Sequence, residues 1–240
     1  MKFFKRFRER LIPRKGFQKY LLYAIGEIFL VVVGILIALT VNNKNQEYQK
    51  EALNRQKSQK LLKLMASDTL EMSNVLKAWD YLEETIDTIL YLTPSNGPIL
   101  NCNGCPDMMI SATLPTLDDT VLNLVASMDT ENVISEEIFQ KIAAHYKFLS
   151  QSRDFNDEVI TKTMFDNLNY LKDTKPWFAD YITQSKCDED CKTYFSESSD
   201  FRNRIAYLQL VMYDSYYAEL FRAKKLIAKD IEDLHKLLKE

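Results

Sequence analysis

The spacing of apolar residues changes three times along this chain, and each change marks a boundary. Residues 20–41 read YLLYAIGEIFLVVVGILIALTV, twenty-two positions that are apolar on every side and carry one charge, Glu27. Residues 46–60, QEYQKEALNRQKSQK, are almost wholly polar and favour helix. Apolar residues then recur at helical spacing: Leu61, Met65, Met72, Val75, Trp79, Leu82, Ile86 and Ile89. No Gly or Pro falls between Asn43 and Leu92. One helix is therefore expected from the polar stretch to Leu92, about 70 Å at 1.5 Å per residue.

Pro94-Ser95-Asn96-Gly97-Pro98 ends that helix. Residues 94–115 hold two of the five Gly and four of the six Pro, so loop is expected there. Thr116-Leu117-Asp118-Asp119 resembles a capping box and predicts a short helix to about Ser127. Ser135-Glu136-Glu137 predicts a further start, with Ser135 as N-cap and acids in the first turn. Ile138, Ile142, Tyr146 and Leu149, then Val159, Met164, Leu168 and Leu171, carry that helix to about Lys172. Pro176 and the polar run 185–200 interrupt. A last helix is predicted over 201–239, with Ile205, Leu208, Met212, Tyr216, Leu220, Ala223, Ile227, Ile231, Leu234 and Leu238 on one stripe. No segment sustains period-two alternation, so the expected class is all-α: a helical bundle with coiled-coil character. The order of elements leaves open which way the third long helix runs relative to the membrane.

The hydrocarbon core is about 30 Å thick, so roughly 20 helical residues are needed to cross it. The uncharged stretch 28–41 reaches only about 21 Å. The membrane helix must therefore begin near Tyr20, which puts Glu27 about 10 Å inside it. Residues 1–19 carry eight basic side chains and one acid, Glu9, which predicts a cytoplasmic N-terminus. The apolar run is too long for a cleaved signal peptide and ends in Thr40-Val41-Asn42-Asn43 rather than a small-x-small site. An uncleaved signal anchor is expected. The chain has 31 basic and 34 acidic residues; without the first nineteen, 23 and 33 remain, a net charge of −10. That balance argues against a nucleic-acid partner.

Candidate chemistry is sparse. The four cysteines form two close pairs, Cys102/Cys105 and Cys187/Cys191, each in an expected break between helices. Even parity and an oxidising compartment favour disulfides. Two local bridges and two bridges joining the loops satisfy that parity equally. A four-cysteine zinc site is the sharper alternative, opposed by the oxidising export route. A redox CxxC lacks its βαβ setting. His145 and His235 are the only histidines, and His145 reads as a packed or capping side chain. There is no glycine-rich phosphate loop, HExxH or nucleophile elbow. Asp118-Asp119, Glu136-Glu137 and Glu83-Glu84 read as helix starts and solvated faces. Neither an enzymatic activity nor a cofactor is expected.

At 100° per residue, Tyr20, Tyr23, Glu27, Gly34 and Ala38 share one face of the span. Gly34-x-x-x-Ala38 lets another backbone approach closely. A carboxylate at bilayer depth is costly and marks a buried contact or a functional site. Three roles compete for Glu27: an assembly determinant hydrogen-bonded to Tyr20 or Tyr23, a partner for a basic residue of another subunit, and a proton carrier.

Residues 19–45, KYLLYAIGEIFLVVVGILIALTVNNKN, closely resemble the N-terminal signature of an uncharacterised family of single-pass membrane proteins of flavobacteria and their relatives. That signature reads approximately GEI-(L/I)-LVV-(I/V)-GILIAL-x-(I/V)-NNWN. It maps to 26–28, 30–32, 34–39 and 41–43, then Asn45, with Lys44 where the pattern carries Trp. The resemblance implies an inner-membrane protein of a Gram-negative envelope with a periplasmic helical domain, and it implies no activity or site.

The expected organisation is a basic cytoplasmic tail (1–19), a transmembrane helix (20–42), a polar helical stalk (43–60) and a periplasmic helical domain (61–240). The expected role is a non-enzymatic oligomeric or scaffold subunit of a cell-envelope complex. Its partners would be the lipid bilayer and either a second copy or another membrane protein. The competing expectations are an ion-coupled motor or energiser subunit in which Glu27 titrates, and a ligand-sensing ectodomain.

Overall fold

A computed structural model describes residues 16–91, 107–128 and 133–239. The protein is all-α, and no strand occurs among the described residues. The elements are α1 (Gly16–Tyr91), a 3-10 turn (Asp107–Met109), α2 (Thr120–Ala126), α3 (Val133–Thr174), α4 (Phe178–Gln184), α5 (Glu189–Glu197), α6 (Ser199–Gln209), a π segment (Leu210–Tyr217) and α7 (Ala218–Leu237). The chain divides into two units, Met1–Asn54 and Arg55–Glu240. The described part of the first unit is helix throughout. Its apolar stretch is long and apolar enough to cross a membrane, with mean hydropathy 2.6 and none of it buried within the chain.

The second unit is a bundle whose seams follow a heptad. On α1 the inward positions are Ser58, Leu61, Met65, Asp68, Met72, Val75, Trp79, Leu82, Ile86 and Ile89, alternating steps of three and four. This is the repeat that keeps one helical stripe facing its partners. Packing begins inside the polar 43–60 stretch, because Ser58 is already 4% exposed and Lys57 Nζ donates to Ser127 O.

Pairings across the seams fix the helix directions. His145 meets Asp230, Ser152 meets Glu219 and Asn167 meets Arg204, so α3 runs antiparallel to α6–α7. Arg202 donates to Leu90 O and Tyr213 Oη to Trp79 O, so α1 is antiparallel to α6–α7 as well. Within this unit α1 and α3 are therefore parallel neighbours, and Tyr146 indeed reaches Asp68.

Parallel neighbours need a connection that returns along the bundle, as in any parallel crossover. The described part of that return runs from Asp107 to Met128, and residues 111–118 form neither helix nor strand. Side chains hold its backbone step by step. Asn167 Nδ2 donates to Met109 O at 2.9 Å, and Trp79 Nε1 to Thr113 O at 2.9 Å. Glu71 Oε1 accepts from Thr116 N at 3.5 Å, and Asp68 Oδ1 from Asp118 N at 3.0 Å. Lys57 closes the series at Ser127.

Several expected boundaries move for physical reasons. Thr116 is not the cap: the helix starts only at Thr120, where Asp118 Oδ1 accepts from Thr120 N at 2.8 Å. Ser135 is not an N-cap but lies inside α3, 8% exposed, on the seam with Phe139, Ile142 and Tyr146. The second half of the α3 stripe is Asn156, Ile160, Asn167 and Leu171, whereas Val159, Met164 and Leu168 are half-buried. The polar run 185–200 is not an interruption throughout, because it contains α5. There Asp188 accepts from Cys191 N, and Cys191, Tyr194 and Phe195 face the core. The last helix begins at Ser199, ends at Leu237 and passes through the π segment.

That π segment has a sequence cause. Leu208, Met212, Tyr216 and Leu220 are all buried at steps of four. Four α-helical residues advance about 400°, so such a stripe would drift about 40° at each step. The wider i→i+5 turn absorbs the drift and keeps all four residues inward.

Asp68 is 3% exposed, and burial pushes its carboxyl above the ordinary value of 3.8, against the lowering effect of bonds from Asp118 N and Tyr146. A raised folded-state pKa means its stabilising contribution is full below 3.8 and is lost as pH rises through the raised value. Asp68→Ala leaves two buried donors unmet and is expected to cost about 2 kcal/mol or more in denaturant unfolding at pH 7. Asp68→Asn keeps an acceptor and removes the charge, so it should match or exceed the parent at pH 7. The parent should regain ground on it as pH falls toward 4.

Candidate functional site

The span face is one place where function could reside. Because residues 16–91 form one uninterrupted helix, Tyr20, Tyr23, Glu27, Gly34 and Ala38 fall on one side of it. Tyr20 is 83% exposed, and a Cβ built on Gly34 would meet nothing within 4 Å. The hydroxyl of Thr40, near the end of the span, donates back to Leu36 O at 2.8 Å and so satisfies itself within the helix.

The cysteines resolve in part. Cys187 and Cys191 form a disulfide, with Cα atoms 5.2 Å apart. This local bridge overturns pairing of that loop with the other and the four-cysteine zinc site, since neither sulfur is left as a thiolate ligand. Cys102 and Cys105 lie outside the described residues. Cys191 sits fully buried at the edge of an aromatic cluster of Trp177, Tyr181, Tyr194, Phe195 and Phe201. Lys175 lies over the Tyr194 ring at 4.1 Å. The bridge and these rings fasten α4 and α5 to the start of α6.

Three acidic positions inside the bundle carry most of its polar geometry. His145 Nδ1 is 2.6 Å from Asp230 Oδ2, and Asp230 is 4% exposed on the α7 seam between Ile227 and Leu234. Burial raises the Asp230 carboxyl, with His145 pulling the other way. About three turns further along α3, Asn156 Nδ2 bonds Ser152 and Glu219 Oε2. Asp157 Oδ1 and the Tyr216 hydroxyl are buried side by side, the phenol facing the carboxyl. Burial first, and Asp157 beside it, push the Tyr216 phenol well up. His145 is thus a packed partner of a buried acid, and His235 lies in the last turn of α7. Among the described residues no group of three or more His, Cys, Asp or Glu could hold a metal.

The other place is a cleft of about 510 Å³ between α3 and α6, which sequence reasoning missed. Arg204 forms its floor. Its Nε donates to Asp200 Oδ2 at 3.0 Å and its Nη1 to Asn167 Oδ1 at 2.9 Å, and the guanidinium lies 3.8 Å over the Tyr170 ring. Tyr194 Oη donates to the same Asp200 oxygen at 2.8 Å. Burial alone would raise Asp200, but the bonds from Arg204 and Tyr194 outweigh it and hold the carboxyl below its ordinary range. Lys162, Asp166, Asn203 and Tyr207 line the walls. The one available signal was Asp200 and Arg204 at i, i+4, which is common on any solvated helix face.

No protein-family model, curated protein or solved structure matches this chain.

Arg204→Gln breaks the bonds to Asp200 and loses the stacking on Tyr170. Bonds to a charged group are worth about 1.5–3 kcal/mol, so a loss of about 2 kcal/mol is expected at neutral pH. A lowered carboxyl contributes stability above 3.8 and loses it as pH falls through the lowered value. The difference between Arg204→Gln and the parent in urea unfolding should therefore shrink as the pH is taken below 3.8.

Proposed function

We propose that this protein is a non-enzymatic inner-membrane anchored subunit that oligomerises, or joins a larger envelope complex, through its span and its helical domain. The N-terminus is cytoplasmic in this reading and the bundle lies outside the cytoplasm. The observation that carries it is the composition of one face of the apolar stretch, where a carboxylate, two tyrosines and a small-xxx-small pair lie together on a helix that is exposed along that stretch. In hydrocarbon there is no hydrophobic drive between helices, so association rests on close backbone approach and interhelical hydrogen bonds. Gly34 and Ala38 permit the first, and Glu27 supplies the second. A carboxyl that stays unpaired in lipid is strongly disfavoured, which makes a partner for Glu27 the economical solution.

The bundle supports the same reading. Its long parallel and antiparallel seams are packed and cross-linked by buried hydrogen bonds, and a well-packed helical domain on one span can set the geometry of an assembly. The positive-inside signal of residues 1–19 supports the orientation. The competing ion-coupled reading shares the same residue, and one substitution separates the two.

The test is purification of the full chain from native membrane in mild detergent, with mass measured by light scattering. The parent is expected to run as an oligomer or with a partner. Polar and packing contacts between membrane helices are worth about 1–2 kcal/mol, so Gly34→Leu should raise the dissociation constant roughly tenfold. Glu27→Gln should weaken assembly as well if Glu27 is structural. Intact assembly with lost cellular function would instead favour ion coupling. A parent that runs as a lone monomer would overturn the assembly reading.

A further inference from the structure

We infer that the cleft between α3 and α6 is a binding site for a small zwitterion with an apolar side chain, such as a free aliphatic or aromatic amino acid. Its volume, about 510 Å³, lies within the range of small-molecule sites, which run from about 300 to 1,000 Å³. Its charges fall into two classes. Arg204 and Asp200 neutralise one another, and Arg204 is fixed from three sides by Asp200, Asn167 and the Tyr170 ring. Lys162 and Asp166 also line the cleft, and neither makes an ion pair with a described residue. They stand four apart on α3, one turn along the same face.

The site therefore offers one unspent cation and one unspent anion beside a rigid guanidinium. A ligand with a single charge would leave one of the two unanswered. A zwitterion answers both, its carboxylate toward Lys162 and the outer N–H groups of Arg204 and its ammonium toward Asp166. Val159 and the half-exposed Tyr207 ring supply the apolar wall for a side chain. Because Arg204 is held before any ligand arrives, little ordering cost falls on binding. The inference is independent of the assembly reading, since it concerns only the second unit.

Calorimetric titration of the full chain in lipid nanodiscs tests it, with L-leucine, L-valine and L-phenylalanine as probes. At least one should bind saturably. For that probe, Lys162→Met and Asp166→Asn should each weaken binding tenfold or more, with melting temperatures close to the parent because both side chains sit on the wall rather than in the core. 3-Phenylpropionate and phenethylamine, each lacking one charge, should bind at least tenfold more weakly than L-phenylalanine if that is the probe that binds. The inference fails if none of the three amino acids saturates, if both variants bind as the parent does, or if the single-charge analogues bind as well as the amino acid.

Discussion

A backbone with neither helix nor strand of its own cannot cross a helical bundle without losing its hydrogen-bond partners, and the rest of the second unit is arranged around that constraint. Residues 111–118 form no helix, and among the described residues there is no strand for them to pair with. Because α1 and α3 are parallel, the chain must travel back along the bundle between them. The return survives because side chains stand in for a ladder. Asn167, Trp79, Glu71, Asp68 and Lys57 each meet one backbone group of the returning segment. Four of the five come from α1, so the helix that carries the apolar stretch also carries the clasp.

The clasp explains why charged and polar groups occupy seam positions that Leu or Ile would fill more cheaply. Asp68 sits on the α1 heptad and Asp230 on the α7 heptad, each almost fully buried. Desolvation opposes both, as their raised carboxyls show. Each is met by hydrogen-bonding groups rather than by Lys or Arg: Asp118 N and Tyr146 for the first, His145 for the second. Tyr146 and His145 are consecutive on α3, so two adjacent residues reach two acids on two different helices. An alternating three-four seam can slip by a heptad at little cost in apolar contact. A slip here would strand both acids, and register is fixed by that penalty.

Much of this was legible in the sequence where apolar residues carry the pattern, and little of it where polar ones do. Seven of the eight apolar α1 positions from Leu61 to Ile89 are buried, and Leu82 packs against them half-buried. Asp68 falls in the same register, but an acid on an apolar stripe reads as a gap. On α3 the gap is wider. With Asn156 and Asn167 on the seam, the period passes to Val159, Met164 and Leu168, which lie to one side of it. The π segment hides likewise, since a run of fours reads as a helix with a loose stripe. The cleft could not be read at all. Its floor joins Asn167 to Arg204, residues 37 positions apart whose meeting depends on the antiparallel course of α3 and α6.

The same partition bears on function. Within the bundle, acids that might have served chemistry are engaged in holding elements together: Asp68 with the return, Asp230 with His145, Asp200 with Arg204 and Glu219 with Ser152 and Asn156. Each of these carboxylates spends at least one oxygen on the protein itself. Outside those contacts, Lys162 and Asp166 on the wall of the α3–α6 cleft make no ion pair with a described residue, and Glu27 stands exposed on the apolar stretch of α1. In the readings proposed above, the first would meet a small molecule in water and the second another helix in lipid. On the proposed reading Glu27 is the more constrained of the two, because water can answer Lys162 and Asp166, whereas a carboxyl in hydrocarbon needs another protein group to meet it.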